Sequence, residues 1–171
     1  MKKRDMLWYL PLLLIVFYII MYNTATPKNV LLLVFSYIAA INDFRYKTVS
    51  MKLIIVMLGG WVLLSCYNIV FTEASITTIF LNGFIGLILG GIFLLPIYFF
   101  NKKGVGEGDI IFLATVGLYI GGSLILAAIM FSLIIALITV IILLIAKRKT
   151  RKDSIPFIPF VFIGTLAVLL L

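Results

Sequence analysis

No histidine occurs in this chain, and cysteine occurs once, at Cys66. A Ser-His or Cys-His nucleophile, a His-ligated metal, a CxxC redox pair and an internal disulfide are thereby excluded. Any chemistry must come from carboxylates, hydroxyls, amines, the lone thiol or the backbone. The chain has only six acids, and they sort by their surroundings. Asp5 lies in a basic N-terminal tail, Glu73 in a short polar break and Asp153 in a basic loop, where a solvated charge is the ordinary reading. Asp43, Glu107 and Asp109 instead border apolar segments, and a carboxylate at membrane depth is costly enough to mark a site. Asp43 falls in Ala40-Ile41-Asn42-Asp43-Phe44-Arg45-Tyr46-Lys47, and Asp109 in Gly104-Val105-Gly106-Glu107-Gly108-Asp109-Ile110. Two carboxylates that share a site cannot easily both ionise, so the pair holds one proton. That state contains a general base and a general acid together, as water attack on a peptide carbonyl requires. Local alternatives stand beside this reading: Asp109 as a helix N-cap, and Asp43 as an ion-pair partner of Arg45 or Lys47. Gly104, Gly106 and Gly108 strip side chains from beside Asp109, so an extended substrate backbone could approach it.

The elements that must position these acids are membrane helices. Hydrophobic residues make up 64% of the 171 and charged residues 12%, with a mean hydropathy of +1.29, far from an ordinary soluble domain. A bilayer core of roughly 30 Å needs about 20 apolar residues as a helix. Seven segments are candidates: Met6 to Tyr22, Lys28 to Asn42, Met51 to Phe71, Ile76 to Phe100, Asp109 to Gly121, Leu124 to Ala146 and Ile155 to Leu171. The second and fifth are short, so six crossings remain possible. With the N-terminus in the cytoplasm, alternating threading places thirteen of the fourteen basic residues inside and Lys28 alone outside, in line with the retention of Lys and Arg on the cytoplasmic side. The formal charge of +8 is thus directed to lipid headgroups and cytoplasm, and no nucleic-acid partner is expected. Met6 to Tyr22 is read as a retained helix, because no small-residue cleavage site follows it. Without a repeat or linker, residues 1–171 are expected to form one membrane domain. Gly83, Gly86, Gly90 and Gly91 leave a bare face on the fourth span for a close helix neighbour. Pro96 is placed to kink that span, and Cys66 reads as a small buried hydrophobe.

Gly106-Glu107-Gly108-Asp109 resembles the GxGD motif of intramembrane aspartyl proteases. The wider run to Ile110, with Leu113-Ala114, Gly117 and Gly121, is similar to the type IV prepilin peptidase family. Asp43-Phe44-Arg45 with Val49-Ser50 resembles that family's first aspartate motif. Ile155-Pro156-Phe157-Ile158-Pro159-Phe160 resembles its Pro-Phe-Gly-Pro-Phe element, with Gly164 beyond. Three positions depart from the pattern: Ile111 where a Lys is usual, Val49-Ser50 where Pro-Asn is common, and Ile158 in place of Gly.

The resemblance implies an all-α, polytopic membrane helix bundle acting as an aspartyl endopeptidase, with Asp43 and Asp109 as catalytic residues and neither metal nor cofactor. The implied substrate is the basic leader of a prepilin-like protein, cut at the cytoplasmic face of the cell membrane just before a hydrophobic helix. Gly106 and Gly108 would admit its backbone, with Glu107 peripheral. Nothing corresponds to the cysteine-bearing methyltransferase segment of the large family members, so the peptidase-only form is expected. The alternatives are a non-enzymatic transporter or scaffold in which the acids bind a cation or proton, and an inactive relative, for which Ile111 is the main support.

Overall fold

The computed structural model describes residues 26–71, 75–100, 106–147 and 155–171. The predicted span Met6 to Tyr22, the acids Asp5, Glu73 and Asp153, Gly104, and the basic residues Lys2, Lys3, Arg4, Lys102, Lys103, Arg148, Lys149, Arg151 and Lys152 lie outside the described residues. Within them the structure is all helical: α1 Pro27–Tyr46, α2 Met51–Phe71, α3 Ile76–Phe100, α4 Glu107–Ile120, α5 Gly122–Ile145 and α6 Ile158–Leu170.

Three of these, α2, α3 and α5, are long and apolar enough to cross a membrane. Only 22%, 22% and 17% of their most apolar stretches is buried by other helices, so residues such as Leu63, Leu81, Phe84, Ile88, Leu137 and Ile142 face outward. A continuous apolar exterior of this kind is stable against lipid, not water. The shorter α4 is the reverse case. From Phe112 to Ile120 all but Ala114 is buried, which is how a helix that is apolar all round behaves at the centre of a bundle. Tyr119 ties it to α2 by donating its hydroxyl to the Met57 carbonyl at 2.5 Å.

Helix α3 lies along α4, α5 along α6, and α6 along α1. The first of these contacts depends on Gly83, Gly86 and Gly90, all buried. A methyl group on Gly86 would run into the Gly117 carbonyl, and one on Gly90 would stand 2.5 Å from the Leu113 oxygen. Gly91 is turned off this face: its methyl would meet only the Ala114 Cβ, at an ordinary 3.5 Å. The bare face is therefore the i, i+3, i+7 stripe and excludes Gly91. On α6, Gly164 makes the same kind of approach to Ala128 and Ser132 of α5. Gly121 sits at φ 83° between α4 and α5, a conformation open mainly to glycine, and Asn82 of α3 accepts the next N–H, from Gly122, at 3.0 Å.

One further expectation needs correction. Cys66 is exposed, because the inward residues of α2 are Ile54, Met57, Trp61 and Ser65 and position 66 lies just off that stripe. Helix α3 continues through Pro96 to Phe100. The bounds of α2 and α3 match the sequence reading, whereas α1 runs four residues past Asn42.

Candidate active site

Because α1 continues past Asn42, Asp43 lies within its last turn and not beyond it. The helix closes at Lys47, in a left-handed conformation (φ 53°), whose N–H bonds the Asp43 carbonyl at 2.8 Å. Asp43 continues the inward stripe of α1 formed by Leu32, Ser36, Ala39 and Ala40, so its side chain lies within the bundle and is only 5% exposed. There its Oδ2 accepts the Ile158 N–H at 3.0 Å, with the Phe157 N–H as a second donor. Ile158 is the first residue of α6 and Phe157 its N-cap, so Asp43 serves as a capping carboxylate supplied to α6 by another helix. The first-turn N–H groups of a helix have no partners of their own and favour an anion. Pro159 follows at the second helical position, where its missing N–H is no loss.

Asp109 sits at the third position of α4. Its Oδ2 accepts the Gly106 N–H at 3.2 Å, so the helix is capped from N3 back to the N-cap. The N-cap residue itself is Gly106, which corrects the reading of Asp109 as an N-cap. Of the two basic residues offered as ion-pair partners, Lys47 acts on the Asp43 carboxylate as a nearby positive charge, beside the α6 N–H groups.

Both acids lie outside the three long helices. Burial pushes the Asp43 carboxyl above the ordinary aspartate range, opposed by the Ile158 and Phe157 N–H bonds and the Lys47 charge. Burial also pushes Asp109 up. The Gly106 bond opposes that, and the negative charge of Asp43 adds to it. The two carboxyls are therefore within electrostatic reach at one end of the bundle, although they come from motifs far apart in the chain. The start of α6 joins them: Phe157 donates to Asp43 and also lines a cavity that contains Asp109.

That cavity, of about 240 Å³, is walled by apolar residues of α3 and α5 such as Leu94, Ile97, Leu133 and Val140, together with Ile155, Pro156 and Phe160. A second hollow, of about 320 Å³, lies between the α1–α2 connection and the start of α4, with Lys47, Thr48, Gly106 and Glu107 on its walls. Asp109 lines both. A groove that carries Lys47, Thr48 and Glu107 among apolar neighbours and a cavity walled by apolar side chains thus meet at one carboxyl group.

The remaining predicted residues fall into place around it. Gly106 is open, with no atom nearer to an added methyl than Asp109 Oδ2 at 3.6 Å. Gly108 lines the groove beside Val49, whose Cβ would stand 3.1 Å from such a methyl. Glu107 accepts the Tyr98 hydroxyl at 2.6 Å, a link from α3 that the sequence reading missed. Ile111 is exposed and two residues from Asp109, hence on the opposite side of α4. Ile158 is fully buried, but what it offers Asp43 is a backbone N–H that glycine would supply equally. The role of α6 was also missed, though a proline such as Pro159 at the head of an apolar run is a helix-start signal. Among the described residues no three acids or cysteines gather to hold a metal.

A sequence model of the type IV leader peptidase family matches residues 30–145, about two thirds of the chain. No curated protein and no solved structure matches it.

Proposed function

Since the chain belongs to the type IV leader peptidase family, we propose that it is a membrane aspartyl endopeptidase in which Asp43 and Asp109 act as one proton-sharing pair. One observation carries the reading: a buried carboxyl on one helix, Asp43, lies within electrostatic reach of a half-buried carboxyl on another, Asp109, and Asp109 lines both the groove and the cavity. A pair so placed holds one proton between pKa values that belong to the pair. The ionised member takes a proton from water as its oxygen bonds to the peptide carbonyl carbon, and the protonated member gives its proton to the carbonyl oxygen. Collapse of the tetrahedral intermediate breaks the C–N bond. The amine leaves with the proton taken from water, and the hydroxyl proton returns to the second carboxyl, restoring the starting state.

The substrate that fits this junction has a polar leader followed by a hydrophobic helix, as in a prepilin-like protein. The leader occupies the groove by Lys47, Gly106 and Glu107, and the start of the helix occupies the cavity by Leu94, Leu133 and Phe160. Residues 1–171 form a single bundle of seven crossings with a cytoplasmic N-terminus, by the asymmetry of Lys and Arg. The site then faces the cytoplasm at the cell membrane.

The test is cleavage of a co-expressed leader-bearing substrate, followed by gel shift. Asp43→Asn and Asp109→Asn are each expected to abolish it with membrane insertion unchanged, while Glu107→Gln is far milder. Full activity in either Asn variant removes that residue from the mechanism.

A further inference from the structure

The family match ends at residue 145, yet the N–H that bonds the Asp43 carboxylate comes from beyond it, at Ile158. Two N–H groups at the start of α6 converge on Asp43, and Lys47 adds positive charge. Asp109 accepts a single, longer bond from Gly106 and faces the charge of Asp43. Each acid lies near a helix amino end, so the helix field alone does not separate them; the count of donors and the sign of the neighbouring charge do. The other charged groups of the elements packed around Asp43 are Lys28 and Arg45 on its own helix, Lys52 on α2 and Glu107 on α4, while α3, α5 and α6 carry none in their sequences. The start of α6 is also held firmly. Ile158 is fully buried, and Gly164 locks the helix onto Ala128 and Ser132, so the donors cannot follow a displaced carboxylate at low cost.

We propose that the amino terminus of α6 is a positioning element of the reaction: the Ile158 and Phe157 N–H groups hold Asp43 as the ionised member of the pair, so that Asp43 accepts the proton of the attacking water and Asp109 donates to the substrate carbonyl. This inference rests on the dyad reading above and adds a direction to it. It also accounts for the Ile158 departure from the family pattern, because the group in use is main-chain.

The experiment replaces the Ile158 amide by an ester, through cell-free incorporation of the α-hydroxy analogue of isoleucine into nanodiscs. This deletes the N–H and keeps the side chain. Loss of a hydrogen bond to a carboxylate is worth about one pH unit or more. The acidic limb of the kcat/KM profile is therefore expected to move up by about one unit, with the basic limb in place. In Ile158→Ala, which keeps the N–H, both limbs stay in place whatever the rate. Movement of the basic limb instead assigns the ionised role to Asp109 and overturns the proposal, as does a lower rate with both limbs fixed. A second measurement needs no variant: carbon-13 spectra of the aspartate-labelled wild-type protein at its pH optimum. The Asp43 carboxyl is expected at the ionised position and Asp109 at the protonated one, and the reverse order or two ionised signals contradicts it. Failure here leaves the dyad itself standing, since that falls only if the Asp43→Asn or Asp109→Asn variant still cleaves.

Discussion

Replacing Gly90 by alanine tests how tightly the bundle fixes Asp109. The new methyl would stand 2.5 Å from the Leu113 oxygen and 3.0 Å from the Leu113 carbonyl carbon. A carbon–oxygen contact is tolerated down to about 3.3 Å, so α3 and α4 must part by about 0.8 Å locally. Both colliding partners are backbone, and no side-chain rotation relieves them. Overpacking of this kind costs about 1–3 kcal/mol. Leu113 is one turn after Asp109 on the same helix, so the displacement reaches the carboxyl group almost undiminished. Misplacing a reacting group by about 1 Å can cost on the order of a hundredfold in rate. Gly90→Ala is therefore expected to lower kcat/KM by about ten- to a hundredfold and to lower the melting temperature by several degrees. Gly91→Ala is the control, because its methyl meets Ala114 at an ordinary 3.5 Å, and it should behave like wild type in both assays. Substrate cleavage in nanodiscs and scanning fluorimetry measure the pair. A Gly90→Ala protein with wild-type rate and melting, or a Gly91→Ala protein equally impaired, refutes the close α3–α4 approach as the device that sets Asp109.

Burial raises the Asp109 pKa, so this group binds protons more tightly folded than unfolded. Its ionisation subtracts stability above the raised folded value, and the penalty fades as pH falls below the ordinary aspartate range. Asp109→Asn is thus expected to melt higher than wild type at about pH 8 and to converge with it toward about pH 4; a lower melting point at pH 8 contradicts the burial argument. Cleavage should be unaffected by EDTA or by added zinc, because no histidine is present and carboxylates act on water directly. Activity lost to a chelator and restored by metal opposes the aspartyl mechanism. A tag after Leu171 should be accessible from outside the cell, and a labelled Lys47 position only from the cytoplasm; both on one side would sink the seven-crossing threading.

Much of the fold was legible because lipid imposes a simple demand. The bounds of α2 and α3 follow from apolar runs that end at polar breaks, and the all-round apolar composition of α4 fits its enclosure by protein. Charged residues misled at Asp43. They marked the end of the apolar run at Asn42, whereas the helix stops only where Lys47 turns left-handed. The two acids were legible because carboxylates are rare in such a chain, but the groups that hold them were not. The donors to Asp43 and Asp109 are backbone N–H groups, and no residue type announces a backbone donor. Gly90 and Gly91 look alike in sequence, and only helical phase separates the one that meets α4 from the one that does not. Gly108 offered an open face in sequence, and that the neighbour beside it in the groove is Val49 was not legible there.

The central claim, that Asp43 and Asp109 work as a single catalytic unit, is tested most directly by the cleavage rates of purified Asp43→Asn, Asp109→Asn and double-variant protein on one leader-bearing substrate. Members of a unit are not additive. All three proteins are predicted to fall to the same background rate, the double variant no lower than either single one. A single variant that retains substantial cleavage, or losses that multiply in the double variant, would show two independent acids and contradict the account.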